Sequence, residues 1–382
     1  MTGTLKDVMR EQADAQASPV FDAGAIAAAG NRRLRRTRIA TGSLAVAAVA
    51  LAAAGLPQLV DRAGTTDADG LVAEAAGPFA ERKVGFATGD VIHWGKQTFS
   101  VGATIAAYVQ TDDGFVYTTR NGGVWFYDGT GSERIGHAAH VRLRADDTGS
   151  LVAWVDLAED GAPQYVVYDT NSRKEAARVD DSAAGPSREQ EDEVAEVFAV
   201  DDGAAYWRTE DGVVRYDVAT GESELVHRPR PIVDPADKPA QVTDIVDVAA
   251  GRIAYVTEDE GSRLLVGEAI GEDAEQMPSG WNGVLSPDGR YIGVEEADEM
   301  AVYDAASTEA VTPALDGYAF KVVYGWVDED TAMVLGIKDL EGETYPTDFL
   351  ACDIPDGACE ETSATEVGPG TFALPVGDPM DT

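Results

Sequence analysis

Cys352 and Cys359 are the only thiols in a chain of 382 residues. They enclose DIPDGA, whose Pro-Asp-Gly is a strong turn signal, so a hairpin there would bring the two sulfurs within bridging reach. A structural disulfide is expected, and such a bond persists in an oxidising compartment outside the cytoplasm. A redox pair would need the tighter C-x-x-C spacing and a lowered thiol pKa.

Four histidines are present. His137 and His140 form H-x-x-H without the glutamate that metallopeptidases place between their zinc ligands. Packing or surface roles are expected for both, and His93 and His227 stand alone. Carboxylates are abundant, and the pairs Asp112-Asp113, Asp146-Asp147 and Asp201-Asp202 fall where turns between strands belong. Aspartate in a turn is ordinary backbone chemistry, and none of these pairs has the D-x-D-x-D-G spacing of a calcium loop. No cofactor is expected. The only metal chemistry the sequence leaves open is weak calcium binding at one such turn.

Enzyme motifs are missing as well. No G-x-S-x-G nucleophile elbow and no G-x-x-x-x-G-K-[ST] phosphate loop occurs. The chain is therefore expected to be non-enzymatic, and the alternative is an extracellular propeller hydrolase or lyase acting on glycans or peptides. That alternative requires carboxylates in opposed environments converging at one mouth.

The elements that position these residues repeat. EDGVVRYDVATGE at 210–222 reads as turn, strand, turn, and the pattern recurs as GGVWFYDGTG (122–131), PQYVVYDTNS (163–172), EMAVYDAAST (299–308) and DFLACDIPDG (348–357). Short strands ending in aromatic-Asp, repeated every few tens of residues, are a propeller blade signature. Asp128, Asp169, Asp217 and Asp304 are read as turn formers. Trp125, Tyr127, Tyr168, Tyr216 and Tyr303 are read as interblade packing. Six repeats are expected over 104–135, 139–179, 194–226, 242–270, 283–312 and 319–361. The hairpin at 89–101 and the late strand TFALPV (371–376) would combine into a seventh that closes the ring. Two insertions, 180–193 and 227–239, carry acidic and Pro-rich sequence without strand patterning.

The N-terminal part differs. Residues 1–38 contain an amphipathic stretch with Leu5, Val8 and Met9 on one helical face, followed by the basic residues Arg32, Arg33, Arg35, Arg36 and Arg38. Residues 39–60 carry no charge over 22 positions, enough helix to span a bilayer core. The arginine flank places the N-terminus in the cytoplasm and the main body outside. A retained anchor is expected over a cleaved signal, because 38 residues is long for the basic region of a signal. Residues 61–83 read as a linker, 84–376 as the propeller and 377–382 as a tail.

Charge is uneven. The chain has 68 Asp and Glu against 29 Lys and Arg, and residues 1–38 hold seven of those bases and four of those acids. The main body is therefore strongly acidic and would repel a phosphate backbone, which excludes nucleic acid as its partner. Expected partners are membrane lipids at the anchor, a protein or small molecule of unknown identity at a propeller face, and a cytosolic regulator at residues 1–38 if the protein acts as a sensor.

SPDGRYIGV at 286–294 followed by MAVYDAAS at 300–307 resembles the blade consensus of TolB-type and related WD-like β-propellers, in which Ser-Pro-Asp-Gly turns the chain into the second strand. The first three repeats share only the aromatic-Asp strand end. With the arginine cluster and Ala-rich span, the layout is similar to actinobacterial single-pass membrane proteins bearing an extracytoplasmic propeller. The resemblance implies an all-β, six- or seven-bladed propeller preceded by a single transmembrane helix and a short cytoplasmic helical segment. It implies location and fold far more than chemistry.

Overall fold

The computed structural model describes residues 77–379 except 181–194, 210, 229–240, 260, 272, 297–298 and 369. The expected cytoplasmic segment, its arginines Arg32, Arg33, Arg35, Arg36 and Arg38, and the membrane span lie outside the described residues. So does nearly all of both insertions. Among the described residues no helix is long and apolar enough to cross a membrane.

Among the described residues, twenty-seven short strands form seven antiparallel sheets. Blade 1 takes β1 (Gly85–Thr88), β2 (Val91–Trp94) and β3 (Gln97–Ser100) from the start of the described chain. Blade 2 holds β4 (Ala107–Thr111), β5 (Gly114–Thr118), β6 (Gly123–Tyr127) and β7 (Ser132–His137). Blade 3 holds β8 (Arg144–Ala145), β9 (Leu151–Leu157), β10 (Pro163–Asp169) and β11 (Lys174–Asp180). Blade 4 holds β12 (Val197–Asp201), β13 (Ala204–Thr209), β14 (Gly212–Asp217) and β15 (Ser223–His227). Blade 5 holds β16 (Gln241–Ala249), β17 (Arg252–Asp259), β18 (Gly261–Gly267) and β19 (Glu275–Gln276). Blade 6 holds β20 (Gly283–Leu285), β21 (Tyr291–Glu296) and β22 (Glu299–Asp304); blade 7 holds β23 (Phe320–Trp326), β24 (Thr331–Ile337), β25 (Tyr345–Asp353) and β26 (Ala358–Val367). Blade 1 is completed by β27 (Phe372–Ala373), which pairs Ala373 with Ala87 and Phe372 with Thr88.

The fold is thus a seven-bladed propeller, and the choice between six and seven blades falls to seven. The hairpin 89–101 and the late strand do share one sheet. That exchange joins the two ends of the described chain and leaves no blade to separate at the seam. Blade 6 has three regular strands, and the place of a fourth is held by Glu309 and Val311, whose backbones bond to Asp304 and Val302 at 2.9 and 2.8 Å.

Packing between blades follows from the two-residue alternation of each strand, which sends apolar side chains to both faces of every sheet. Trp154, Trp207 and Trp326 are almost wholly buried at these junctions. Each contributes at least about 1.5–3 kcal/mol by the area it removes from water. Indole N–H groups then tie neighbouring blades: Trp94 of blade 1 to Gln110 of blade 2 at 3.0 Å, and Trp154 of blade 3 to the His137 carbonyl of blade 2 at 3.0 Å. Tyr165 stacks on Trp207 of the next blade with centroids 4.7 Å apart.

The domain starts earlier than the sequence suggests. Phe79 is buried among Trp94, Phe99 and Phe115, and Arg82, 2% exposed, donates to the carbonyls of Phe79 and Asp147. Gly77–Lys83, read above as the end of a linker, is packed onto blades 1 to 3. The apolar content of this stretch is one phenylalanine and one alanine, too little to produce a periodic signal.

Candidate functional site

In each blade the turn after the innermost strand and the turn before the outermost strand fall on the same face of the ring, because the four strands alternate in direction. The recurrent acids all lie on that face. Asp128 Oδ1 accepts the Thr130 and Gly131 N–H groups at 2.9 and 3.2 Å and the Thr130 hydroxyl at 2.6 Å. Asp169 accepts from Asn171 N at 3.0 Å, and Asp217 accepts from Thr220 N at 2.8 Å. Asp304 accepts from Ala306 N and Ser307 N at 3.1 and 2.9 Å. These carboxylates serve as turn formers, as their repetition implies.

Three of these carboxylates, Asp128, Asp217 and Asp304, are held below the ordinary carboxylate range. The Thr130 hydroxyl and N–H hold Asp128 well below the usual carboxylate range, and Thr220 lowers Asp217 in the same way. Acid–base pairs in a catalytic site instead have their pKa values driven apart. Among the described residues no three histidine, cysteine or acidic side chains converge as metal ligands.

The ring axis is lined by the innermost strands, and residues 376–378 lie along it. β4 bonds to β5 with one edge; the other edge faces the axis. Val376 bridges to Val109 on that free edge, Gly377 N donates to the Tyr108 carbonyl at 2.9 Å, and Leu143 N donates to the Gly377 carbonyl at 2.7 Å. Asp378 then reaches two arginines at the start of β8: Oδ1 lies 3.2 Å from Arg142 Nε and Oδ2 lies 3.2 Å from Arg144 Nη1. Arg142 also pairs with Glu196 at 2.6 Å. Residues 377 and 378, read from sequence as tail, are buried parts of the channel wall. Nothing in the sequence pattern singled them out, because their partners lie hundreds of residues away along the chain.

His140 lines the cleft of about 260 Å³ beside Arg142, Arg144 and Glu196, and burial followed by the Arg142 charge pushes its pKa down. His137 instead faces Asp156, with Nδ1 at 3.6 Å from Oδ1. The two histidines therefore do not form one site. Cys352 and Cys359 sit opposite each other on β25 and β26 and are joined by a disulfide, with Cα atoms 4.0 Å apart. The turn between them is closed by Asp356 N donating to Asp353 Oδ1 at 2.8 Å. The bond thus pins the outer strand of blade 7.

On the opposite face of the ring, a groove of about 580 Å³ opens between the blade 1 to blade 2 connection and the turn Thr119–Gly123. Trp125, Arg134, Arg120 and Asn121 line it. Trp125 and Arg134 are directly paired across β6 and β7. A side chain at Gly123 would meet the Trp125 indole nitrogen at 2.9 Å, so glycine there leaves room for the ring. Trp125, expected from sequence in interblade packing, does pack against the blade 1 to blade 2 core, but it is half-buried and lines the groove as well.

No protein-family model matches the chain, and no curated protein matches it. Solved structures do. The chain is similar to TolB from Acinetobacter baumannii, with 13% identity over 59% of this chain and 62% of that one, at a TM-score of 0.40. It thus spans less than two thirds of that protein. It is also similar to a TolB homologue described as putative from Agrobacterium tumefaciens (10% identity, 78% of this chain and 95% of that one, TM-score 0.38). A third is oligogalacturonate lyase from Vibrio parahaemolyticus (11% identity, 70% of this chain and 88% of that one, TM-score 0.44). These likenesses are to the fold alone, and the assignment of a seven-bladed propeller stands on the ring of seven sheets.

Proposed function

We propose that this chain is a membrane-anchored, extracytoplasmic propeller that acts as a non-enzymatic binding or scaffolding module. The observation that carries this reading is how the acids and the axis are used. The strand-end carboxylates spend their lone pairs on turn N–H groups, and Val376–Asp378 occupies the inner edge of β4 and β8, where a substrate would approach the axis. A hydrolase or lyase needs a carboxylate poised near neutrality; Asp128 and Asp217 are instead held ionised.

The anchor rests on the uncharged span 39–60 and the arginines before it, and the disulfide supports an oxidising location. Residues 1–38 would meet anionic lipid heads through Arg32, Arg33, Arg35, Arg36 and Arg38. The test is protease treatment of intact cells carrying tags at both ends. The C-terminal tag should be removed and the N-terminal tag protected; the reverse pattern overturns the topology. Turnover of a glycan or peptide by the purified protein would overturn the non-enzymatic reading. Capture with residues 1–38 that enriches lipids alone would remove the cytosolic regulator.

A further inference from the structure

The groove between blades 1 and 2 differs from the rest of this acidic surface. No carboxylate lines it. Arg142, Arg173 and Arg178 each find an acid partner, as expected where acids outnumber bases so strongly. Arg120 and Arg134 form no ion pair within the described residues, and the one hydrogen bond of the Arg134 guanidinium is a long one, 3.4 Å, to the Gly136 carbonyl.

The remaining polar side chains of the groove can each donate a hydrogen bond as well. Asn121 Oδ1 accepts from the Thr119 hydroxyl at 2.5 Å and from Gly123 N at 3.4 Å, so the network leaves the amide nitrogen as its outward group. The half-buried Trp125 adds an indole N–H and an apolar ring face, and Thr104 adds a hydroxyl at the rim. Two guanidiniums, an amide nitrogen and an indole N–H with no competing acid form an array that suits an acceptor-rich anion. Guanidinium is also the donor that matches a carboxylate in two parallel bonds.

From this we infer that the groove is a binding site for an acidic sugar, with the C–H face of the ring on Trp125, the acid group held by Arg120 and Arg134, and hydroxyls on Asn121 and Thr104. An acidic peptide fits less well. Extended peptides gain affinity by pairing with a free strand edge; β6 under the groove is paired on both sides, to β5 and β7, and the free edge of β7 lies on the far side of that strand from Trp125. Recognition here has to come from side chains, and a ring with an apolar face and polar rim uses the ones present. The groove opens on the face opposite to Gly77–Phe79, where the described chain joins the ring against Asp112, so a tethered propeller would present it away from its point of attachment. The inference deepens the binding-module reading and rests on it.

The test uses the full chain in detergent and follows calorimetric heat together with the change in tryptophan emission that is lost in Trp125→Phe. The probes are a glucuronate-containing disaccharide, its neutral glucose counterpart, inorganic phosphate and polyglutamate. The acidic disaccharide should bind saturably, the neutral one at least tenfold more weakly, and Arg120→Gln and Arg134→Gln should each weaken binding about tenfold while melting as the parent does. Equal binding of acidic and neutral sugars, wild-type affinity in both arginine variants, or no acidic-sugar binding at all would overturn the site. Tighter binding of polyglutamate would assign the groove to a peptide, and tighter binding of phosphate would assign it to a phosphorylated ligand. Both outcomes overturn the sugar. Binding followed by cleavage of the disaccharide would leave the site intact and refute the non-enzymatic reading alone.

Discussion

Asp378 Oδ2 lies 3.2 Å from Arg144 Nη1, with both side chains under a tenth exposed, so the end of the described chain is locked to the innermost strand of blade 3. Arg144 Nε also donates to the Phe198 carbonyl of blade 4 at 3.0 Å. One carboxylate thus ties blade 1, which supplies the chain end, to blades 3 and 4 across the axis.

Asp378→Ala should destabilise the protein by about 2–4 kcal/mol, because it leaves a buried guanidinium without its counter-charge. Urea unfolding of the variant measures it. A loss below about 0.5 kcal/mol, the size of an exposed pair, would show that the chain end does not brace the ring.

Gly377→Ala should cost more than Gly161→Ala. Both residues have positive φ, +77° and +85°, so the conformational penalty of about 1 kcal/mol is shared. A Cβ at Gly377 would fall 2.0 Å from the Leu143 carbonyl oxygen, whereas one at Gly161 meets nothing within 4 Å. Equal melting temperatures for the two variants would contradict the path of residues 376–378 along the axis.

Unreduced protein should have a mass lower by two hydrogens than the reduced chain, with no thiol free for alkylation. Reduction should lower stability by about 2–3 kcal/mol, the chain-entropy value for so short a loop. Because the bond sits between β25 and β26, hydrogen exchange should rise first in the outer strand of blade 7.

Acid should destabilise the propeller through its turn aspartates. Asp128 is depressed in the folded protein by the Thr130 hydroxyl and N–H, by Arg173 and by the Gly131 N–H. Its contribution is therefore fully present above the unfolded carboxyl pKa of about 3.9 and is lost as pH falls below that value. Asp128→Asn keeps an oxygen for the turn and removes the titration, so its melting temperature should fall less steeply than that of the parent between about pH 4 and pH 2. Parallel curves would mean that Asp128 titrates as it does in the unfolded chain.

Much of the fold could be read from the residues alone. Aromatic-Asp strand ends at 127–128, 168–169, 216–217 and 303–304 mark the third strand of four blades because β-branched and aromatic residues followed by an Asp turn specify strand and stop locally. The same locality made the cysteine pair legible, since the eight residues from Cys352 to Cys359 around Pro-Asp-Gly fix their own hairpin. The groove was not legible. Arg120 sits in the turn Thr119–Gly123 and Arg134 lies beyond the next turn, and only the register that sets Arg134 opposite Trp125 brings them to one place.

The sequence by itself determined the repeating strand, the role of its terminal aspartates, the disulfide and the partition between a basic N-terminal arm and an acidic body. Each of these depends on residues within a few positions of one another. Tertiary structure alone decided that Phe79 and Arg82 belong to the propeller, that Asp378 closes against Arg142 and Arg144, and that Arg120, Trp125 and Arg134 share an acid-free groove. The physical reason is ring closure. Once seven sheets are packed side by side, contacts are set by blade geometry and not by chain distance, and no local pattern encodes which residues that geometry will bring together.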